Sequence, residues 1–578
     1  MKKLLVYLKE YRIASILGPM FKLTEALLEL FVPLVIANII DSGIANGDNA
    51  YIIKMCLLLI LLGAVGLACS VTAQYFAAKA SVGFTKKVRR ALFVHIQSLS
   101  FSELDSLGNA TLITRMTSDM NQIQTGVNLA LRLLLRSPFV VFGAVIMAFT
   151  INSEISLIFV AAVILLSAVV FGIMLWCIPL YKKVQSRLDR VLSITRENLT
   201  GARVIRAFCR EESETADFKD ANGLLTDKQK YVGRISALMN PLTYVIINLA
   251  IIALIRRGAV EVNLGILTQG EVVALYNYMS QILVELIKLA NLIINITKSV
   301  ACANRVQAVL ETGGKTEEVS YGFCSSEAKT DCAVEFDNVT LRYHRDSDEA
   351  LSDISFKVKK GETVGIIGGT GSGKTSLAGL IPRFYDATKG KVEVDGTDVK
   401  NYAQKELRAK IGIVPQKAVL FAESIRDNML RGNSHATDSE IYEALEAAQA
   451  RDIADSKGGL DFKIEQGGKN LSGGQRQRLT IARALVRKPE ILILDDSSSA
   501  LDFATDKRLR AALKNLPYSP TVFIVSQRTS SIAHADKIVV LDDGKIAGIG
   551  THGELLKSCA VYKEIHDSQF KREARANG

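Results

Sequence analysis

The sequence predicts an α-helical membrane domain followed by an α/β domain, and three observations lead to this fold class. The chain has 578 residues, nearly four times the roughly 150 of an average domain, so we expect at least two folded units. Hydrophobic residues make up 49% and charged residues 22%, and the mean hydropathy is +0.21. A membrane region averaged with a soluble one gives this combination. Long charge-free stretches fill the first half, whereas short apolar runs alternate with helical patterns in the second.

Six stretches of the first half are candidates for membrane spans, each of which requires about 20 largely apolar residues. Four of them carry no charged residue and lie at 55–78, 137–153, 155–181 and 235–255. Two more, at 13–40 and 272–298, are apolar but contain charges. A soluble amphipathic helix would need a polar face, which the charge-free stretches lack. We therefore predict six spans.

The basic residues indicate the orientation, because cytoplasmic loops are rich in Lys and Arg. The N-terminus and the long segments 79–136 and 182–234 are basic, whereas two of the short connections have no Lys or Arg. We expect a multi-pass protein of the cell (plasma) membrane with both termini in the cytoplasm. Arg256 and Arg257 oppose this, since they would fall in the outer loop between spans five and six. The surplus of +11 charges is attributed to these loops, so no nucleic-acid partner is expected.

Charged residues inside spans one and six are candidates for a cargo path, because charges in a membrane must pair or face water. Lys22 with Glu25, and Glu285 with Lys288, lie three residues apart and could neutralise each other. Glu29 has no such local partner. Two interpretations stay open. Glu25, Glu29 and Glu285 border a hydrated path that favours a cationic cargo, or they pair between helices for assembly alone.

The composition changes after the sixth span. Residues 311–332 are polar and rich in Gly, Ser and Glu, which is typical of a linker. We therefore divide the chain into a transmembrane domain at 1–300, a linker at 301–332 and an α/β domain at 333–578.

A glycine-rich loop is the strongest local signal in the α/β domain. It follows the strand-like run 363–367, precedes a helical pattern and fits G-x-x-x-x-G-K-[ST]. Glycines let consecutive backbone N–H groups surround phosphates, the lysine bridges the β- and γ-phosphates, and the hydroxyl after it binds Mg²⁺. The candidate nucleotide-binding residues are Gly368, Gly369, Thr370, Gly371, Ser372, Gly373, Lys374, Thr375 and Ser376.

An apolar run at 491–494 ends in Asp495. A carboxylate at the end of a strand holds the Mg²⁺ shell of a phosphate-binding loop, here through water. Taken together with Thr375, Asp495 predicts Mg²⁺ as a cofactor beside ATP.

Between these motifs lies Leu471–Arg478, which reads LSGGQRQR. At this point the chain resembles the ATP-binding cassette (ABC) transporters, whose signature is LSGGQ. Six spans followed by one cassette resemble a multidrug-type exporter half-transporter, which implies the type I exporter fold fused to a P-loop nucleotide-binding domain. The resemblance also implies a dimer in which Ser472, Gly473, Gly474 and Gln475 contact the ATP bound by the partner.

The resemblance carries further roles to single positions. Tyr343 matches the aromatic residue that stacks on adenine, and Gln416 matches the glutamine that touches Mg²⁺ and faces the membrane domain. Residues 499–502, which read Ser-Ala-Leu-Asp, match the loop that contacts the opposite cassette. Short coupling helices are expected near 108–118 and 209–219.

Three positions depart from the family pattern. Asp496 stands where the family usually has the glutamate that activates water, and its side chain is one methylene shorter, about 1 Å. Gln527 occupies the position of the switch histidine and cannot carry an imidazolium charge. Gln466 replaces a common glutamate ahead of the signature. Losing either catalytic group lowers the rate by about 10²–10⁴, so ATP should bind well and hydrolyse slowly.

These departures predict a heterodimer. The signature of this chain would complete a competent site on a second half-transporter that carries the glutamate and the histidine. Two alternatives remain: a homodimer in which Asp496 is an adequate base, or a regulatory subunit that binds ATP and moves no cargo. The cargo itself, whether an amphipathic small molecule, a lipid or a peptide, is not fixed by the sequence.

Overall fold

The computed structural model describes residues 3–313, 331–343 and 347–576, with side chains up to 569. The chain forms two compact units: Met1–Ser98 with Leu107–Thr312, and Leu99–Ser106 with Gly313–Gly578. Most of the predicted linker, from 314 to 330, lies outside the described residues. Its first part differs from the prediction, because residues 301–311 continue the last long helix of the first unit.

The first unit is entirely helical in its described residues. Six of its helical segments are long and apolar enough to cross a membrane. They contain five of the predicted spans entirely and all but the last two residues of the span at 137–153. The helices are α1 (Arg12–Asn38), α2 (Asn49–Ser98), α3 (Phe101–Leu107), α4 (Asn109–Thr114), α5 (Met120–Leu133), α6 (Arg136–Ile151), α7 (Ser153–Thr200), α8 (Ala202–Ala207), α9 (Glu211–Ala237), α10 (Met239–Asn263) and α11 (Gln269–Glu311), of which α3 belongs mainly to the second unit.

Two details of the helical unit correct the sequence analysis. Arg256 and Arg257 lie within α10 and not in the loop that follows it. The Arg257 guanidinium pairs with Glu154 at 2.6 Å and Glu261 at 3.1 Å. The two arginines therefore belong to the last turns of α10 and not to a loop, and the orientation of the chain stays a prediction.

Coupling helices were expected near 108–118 and 209–219. The first segment contains the short helix α4 and the second contains the start of α9, and two further short helices, α3 and α8, lie just ahead of them. Which of these helices couple the two units stays a prediction. Within the second unit, the ring of Phe101 in α3 packs on Phe384 at 4.2 Å. Asp105 accepts a hydrogen bond of 2.8 Å from the hydroxyl of Tyr385.

The second unit contains two sheets and the helices that cover them. Strands β1, β2, β4 and β5 form an antiparallel sheet in the order β2-β1-β4-β5, and the other strands form a sheet in the order β10-β9-β3-β8-β7-β6. The strands are β1 (Cys332–Leu341), β2 (Leu351–Lys359), β3 (Thr363–Gly368), β4 (Lys389–Val394), β5 (Thr397–Asp398), β6 (Ile411–Val414), β7 (Ile491–Asp495), β8 (Thr521–Val525), β9 (Lys537–Asp542) and β10 (Lys545–Gly550).

In the larger sheet all strands from β9 to β6 are parallel, and only β10 is antiparallel. The central strands β7 and β8 are buried throughout, because helices cover both faces of such a sheet. The helices of this unit are α12 (Lys374–Leu380), α13 (Gln404–Lys410), α14 (Ile425–Leu430), α15 (Asp438–Ala447), α16 (Arg451–Ser456), α17 (Gly473–Leu485), α18 (Phe503–Lys514), α19 (Thr529–Ile532), α20 (His552–Ser558) and α21 (Ala560–Ala576).

A buried ion network joins α1, α6 and α11 in the helical unit. The Arg136 guanidinium at the start of α6 pairs with Glu285 of α11 and with Glu29 of α1, both at 2.6 Å. Glu285 also accepts hydrogen bonds from Ser137 and Lys288, each at 2.8 Å. Arg136 thus supplies the partner for Glu29 that the local sequence lacks.

Glu25 is paired as its spacing predicts. The Lys22 ammonium lies 2.6 Å from Glu25 and 3.0 Å from the hydroxyl of Ser70 on α2. All three candidate path carboxylates therefore have basic partners within the helical unit. These contacts favour the interpretation that the charges pair between helices, while the cargo path stays a prediction.

We predict that Arg136→Met destabilises the helical unit by about 3–5 kcal/mol, because it leaves the buried carboxylate of Glu285 without its guanidinium. The midpoint of thermal unfolding of the purified protein should fall by about 6–10 °C. The exposed pair Lys3–Glu311 offers the control Lys3→Gln, which should change the midpoint little. The double variant Arg136→Met/Glu285→Leu should regain part of the loss. An unchanged midpoint in Arg136→Met would contradict a structural role for this network.

Candidate nucleotide-binding site

The site lies at the carboxyl edge of the larger sheet, where parallel strands end side by side. Strand β3 ends at Gly368 and its neighbours in the sheet are β8 and β9. Strand β7 ends at Asp495, while Gln416 and Gln527 each follow the end of a strand by two residues. Ligands of open α/β sheets bind at this edge. The topology therefore brings motifs more than 100 residues apart in the chain to one place.

The loop after β3 is shaped by its glycines. Gly371 and Gly373 have φ values of +85° and +91°, a conformation that residues with a Cβ rarely adopt. A Cβ at Gly368 would lie 2.1 Å from the carbonyl oxygen of Leu541, so only glycine fits there. A Cβ at Gly369 or Gly371 would meet no atom within 4 Å. The loop is thus packed tightly on its inner side and open on its outer side, as a phosphate cradle requires.

The Lys374 ammonium occupies the centre of this loop. It donates to the carbonyl oxygens of Gly368 at 2.9 Å and Gly369 at 2.5 Å, and to the hydroxyl of Ser372 at 3.3 Å. Burial lowers the pKa of Lys374, and the nearby Asp496 and Asp495 oppose that shift. Phosphate oxygens would offer this cation a full negative charge in place of neutral carbonyls, so the residues present fit a nucleotide triphosphate.

Thr375 and Asp495 fit a divalent cation. The hydroxyl of Thr375 donates to Asp495 at 3.2 Å across 120 residues of sequence. Burial raises the pKa of Asp495, and the hydrogen bond from Thr375 and the charge of Lys374 oppose that shift. A hydroxyl and a carboxylate beside phosphates are the hard oxygen ligands that Mg²⁺ prefers. Bound there, Mg²⁺ would neutralise the phosphate oxygens.

Asp496 is held firmly by its backbone. Its N–H donates to the carbonyl oxygen of Val525 on β8 at 2.9 Å, and its φ of +46° is unusual for a residue other than glycine. The carboxylate accepts a hydrogen bond of 3.4 Å from Gln416. Burial raises the pKa of Asp496, whereas Gln416, Arg528 and Lys374 lower it. The backbone of Asp496 is thus tied to the neighbouring strand, and its carboxylate faces Gln416.

The loop at Gln527 is tied to the C-terminal helix α21. The side-chain amide of Gln569 donates to the carbonyl oxygen of Gln527 at 2.7 Å. Its oxygen accepts from both the N–H and the hydroxyl of Thr529, each at 2.9 Å. Gln569 was missed from the sequence, since it belongs to no motif and lies 42 residues from Gln527. It fixes the backbone of this loop, while the side chain of Gln527 itself is exposed.

Tyr343 lies beside the cradle. Its hydroxyl is 2.7 Å from that of Ser376 in α12, and its ring meets that of Tyr385 edge-on at 5.0 Å between centroids. The side chain remains 38% exposed. Tyr343 thus has free surface next to the phosphate loop, as the predicted stacking on adenine requires.

The signature residues form the start of α17. Ser472 caps the helix by accepting from the N–H of Gln475 at 3.2 Å, and the Gln475 side chain accepts from the N–H of Ser472 at 3.0 Å. Gly473 is exposed, and a Cβ there would meet no atom within 4 Å. At Gly474 a Cβ would lie 3.1 Å from the carbonyl oxygen of Ala500, in the loop at 499–502. The signature is therefore well ordered and open to a ligand.

The remaining predicted residues have separate places. Gln466 lies in a short 3-10 turn at Gln466–Gly468. Asp502 caps α18 by accepting from the N–H of Thr505 at 2.9 Å. The candidate path residues Glu25, Glu29 and Glu285 lie in the helical unit and take no part in this site.

We predict that Asp495→Asn stabilises the nucleotide-free protein at neutral pH. The pKa of Asp495 is raised in the folded state, so the folded protein loses stability as the pH rises from about 4 through that raised value. Asparagine does not ionise and avoids this loss. Thermal unfolding should show a higher midpoint for the variant at pH 7, and no difference below pH 3. The stabilisation that Mg²⁺ and ATP give the wild-type protein should disappear. Asp461→Asn, at an exposed residue, is the control. A lower midpoint at pH 7 would contradict the prediction.

We predict that Gln569→Leu loosens the loop at Gln527, because three hydrogen bonds are lost. Amide hydrogen exchange at Thr529 should become about tenfold faster, equivalent to about 1.4 kcal/mol of lost local stability. The neighbouring variant Ser568→Ala should leave this exchange unchanged, since among the described residues the Ser568 hydroxyl donates to Ile565 of its own helix turn and not to the loop. Equal exchange in both variants would show that α21 does not order the loop.

Comparison with known proteins agrees with the assignment of this site to nucleotide binding. Residues 15–286 match the family model described as "ABC transporter transmembrane region", and residues 351–499 match that described as "ABC transporter". An uncharacterized ABC transporter ATP-binding protein of Mycobacterium tuberculosis (strain CDC 1551 / Oshkosh) is 36% identical over 568 residues, with 97% of both chains covered.

A second relative and one solved structure are also similar to this chain over most of their length. An ATP-dependent lipid A-core flippase of Desulfotalea psychrophila is 34% identical, with 83% of this chain and 84% of the relative covered. A solved structure described as a bacterial Atm1-family ABC exporter with ATP bound superposes with a TM-score of 0.78 at 26% identity, covering 98% of each chain. The chain belongs to the ABC transporter family, as an exporter in which the transmembrane and nucleotide-binding domains are fused in one polypeptide.

Proposed function

We propose that the chain is the weakly hydrolysing subunit of a heterodimeric ABC exporter. It would use ATP, with Mg²⁺, to drive an amphipathic small molecule, a lipid or a peptide out across the cytoplasmic membrane. In this arrangement the partner is a second ABC half-transporter that carries a complete catalytic site. Both termini would lie in the cytoplasm, as the basic segments at 79–136 and 182–234 predict.

Lys374 and the loop amides would hold the phosphates of ATP, Thr375 and Asp495 would hold the Mg²⁺, and Tyr343 would offer a face to the adenine. ATP closes the two cassettes only if it binds the closed state more tightly than the open one. Ser472 and Gly473, exposed at the start of α17, supply the contacts with a partner's ATP that make this difference.

The proposed slow hydrolysis follows from the geometry of Asp496. This is the observation on which the proposal rests. A general base must come within about 2.6–3.2 Å of the proton that it accepts. The Asp496 backbone is bonded to β8 at 2.9 Å, and the carboxylate contacts Gln416. A side chain one methylene short on a fixed backbone falls short of the water, and Gln527 supplies no imidazolium to offset the loss.

Two catalytic positions of this chain depart from the family pattern, while its signature is intact. This combination favours a dimer of two different subunits. In a homodimer both ATP sites would contain Asp496 and Gln527, and both would hydrolyse slowly. In a heterodimer, Ser472–Gln475 of this chain would complete the site on a partner that carries the glutamate and the histidine. The intact signature also argues against a purely regulatory subunit, because such a subunit has no need to complete another site.

An amphipathic cargo agrees with the relatives. One of them is named as an ATP-dependent lipid A-core flippase, and a lipid of that kind joins a polar head to apolar chains. The three candidate path carboxylates, Glu25, Glu29 and Glu285, are paired with basic side chains, so the cargo would be recognised mainly through apolar contact.

The test of the proposal is ATP hydrolysis by the purified chain alone. We expect tight ATP binding with turnover far below the roughly 10 s⁻¹ of a median enzyme. Asp496→Glu/Gln527→His should raise the hydrolysis rate at least about tenfold, because it restores the base and the cation. The control Asp461→Glu adds the same methylene at an exposed residue outside the site and should leave the rate low.

Rapid hydrolysis by the unmodified chain would support the homodimer and refute the proposal. Transport of a fluorescent amphiphile into sealed vesicles, with and without a candidate partner subunit, separates an exporter from a regulatory protein. Transport should require both chains. If the partner transported equally well alone, this chain would be regulatory.

A further inference from the structure

A series of side-chain contacts joins α3 to the nucleotide-binding site within the second unit, to which residues Leu99–Ser106 belong. The hydroxyl of Tyr385 donates to the carboxylate of Asp105 at 2.8 Å, across 280 residues of sequence. The ring of Tyr385 in turn meets that of Tyr343 edge-on, with 5.0 Å between the centroids. Tyr343 is the residue predicted to stack on adenine, and its hydroxyl lies 2.7 Å from that of Ser376. The contacts therefore run without a gap from α3 to the predicted position of the base.

The segment that carries Tyr385 is held in place by Arg408 of α13. The Arg408 guanidinium donates to the carbonyl oxygens of Pro382 at 3.2 Å and Arg383 at 3.1 Å. Arg383 has a φ of +53°, which is uncommon for a residue with a Cβ. The bonds from Arg408 hold the backbone in this conformation. They thereby fix the directions of the next two side chains, those of Phe384 and Tyr385.

Helix α3 is anchored to the same segment by an aromatic contact. The ring of Phe101 lies 4.2 Å from that of Phe384. The guanidinium of Arg408 lies 5.9 Å from the first ring and 5.5 Å from the second, and a cation over aromatic rings adds to their apolar contact. Asp105 thus reaches Tyr385 from a helix that is itself docked beside it.

The hydrogen bond to Asp105 restrains the ring of Tyr385. Burial and this hydrogen bond together raise the pKa of Tyr385, so its phenol stays protonated and donates at neutral pH. Hydrogen bonds to an ionised acceptor are stronger than those between neutral groups. A ring that is held at its hydroxyl cannot tilt freely, and aromatic pairs prefer the edge-to-face arrangement seen here. Tyr385 therefore limits the orientations that are open to the ring of Tyr343.

An oriented ring binds a base more tightly than a freely moving one. A side chain that becomes immobilised only on binding loses conformational entropy at that moment, which weakens affinity. The ring of Tyr343 already contacts Ser376 through its hydroxyl and Tyr385 through its side, while 38% of the residue stays exposed. The surface left for adenine is thus oriented before the nucleotide arrives.

We propose that Tyr385 and Asp105 are positioning residues for the base of the nucleotide. Asp105 holds the hydroxyl of Tyr385, Tyr385 holds the ring of Tyr343, and Tyr343 stacks on adenine. Affinity for the base then depends on a short helix that lies, in the sequence, between the second and third predicted spans. This inference rests on the proposed binding of ATP with its adenine on Tyr343, and it does not depend on the rate of hydrolysis or on the partner subunit.

The test compares a nucleotide with a base-free analogue of its phosphates. Dissociation constants are measured on the purified full chain, with Mg²⁺, for AMP-PNP, which is an ATP analogue that resists hydrolysis, and for inorganic tripolyphosphate. The constant for tripolyphosphate divided by that for AMP-PNP is the base ratio, which reports the contribution of the base. Tyr343→Ala should lower the base ratio about tenfold, because it removes the stacking. Tyr385→Phe and Asp105→Ala should each lower it about threefold, the effect of one lost hydrogen bond, and leave tripolyphosphate binding unchanged.

Further variants test whether the two residues act through one contact. Asp105→Asn keeps an acceptor oxygen and should retain the wild-type base ratio. The double variant Asp105→Ala/Tyr385→Phe should lower the ratio no more than either single change, because both remove the same hydrogen bond. The matched control Tyr402→Phe removes a tyrosine hydroxyl that donates to the carbonyl oxygen of Val394 at 3.0 Å in the same unit. It should leave the base ratio unchanged.

The base ratio separates a positioning role from a purely structural one. If Tyr385→Phe and Asp105→Ala weaken both ligands in equal proportion, Tyr385 only supports the fold of its segment and the proposal is overturned. If the two variants keep the wild-type ratio while Tyr343→Ala lowers it, adenine stacks on Tyr343 but the positioning role is refuted. If Tyr343→Ala also keeps the wild-type ratio, the base lies elsewhere, and the proposed stacking fails together with this inference.

Discussion

The α/β unit depends on holding one ammonium group, that of Lys374, inside a ring of backbone carbonyl oxygens. The cation is buried and has no carboxylate within hydrogen-bond distance in its described surroundings, so the loop must supply oxygens at 2.5–2.9 Å. Only glycine permits the turns that place these oxygens, at Gly371 and Gly373. The loop is therefore already shaped around a positive charge before any phosphate arrives. This preorganisation explains why binding residues can remain complete while catalytic ones change.

The residues proposed to bind ATP and the residue proposed to activate water occupy different kinds of position at the edge of the sheet. Lys374, Thr375 and Asp495 sit on strand ends or on the first turn of a helix. Thr375 donates to Asp495, and the charge of Lys374 acts on the same carboxylate. Asp496 lies one residue past β7, in a strained conformation that its bond to β8 maintains. A family member can thus lose the length of one side chain there without disturbing the cradle. The departure from the family pattern at this position leaves the architecture of the site unchanged.

The sequence predicted the spans, the phosphate loop and Asp495, because apolar length and a rigid motif fix them locally. It did not reveal Arg136 as the partner of Glu29, or Gln569 beneath the switch loop, since both contacts join distant segments through tertiary packing. Helix α3 was not predicted, although a signal was present. Ser100 and Glu103 form a reciprocal cap at its start, and Gly108, with φ of +72°, ends it. The spacing of serine and glutamate could have located this helix.

The continuity of α2 has a mechanical consequence. Its 50 residues form an unbroken rod about 75 Å long, with no proline or described kink to act as a joint. A rod of this kind transmits rotation and does not absorb it. A tilt of only about 5° about one end would displace the other end by about 6–7 Å, given the rise of the helix. A small rearrangement at one end of α2 therefore becomes a larger movement at its other end. That movement is about as large as the width of a hydrated ion.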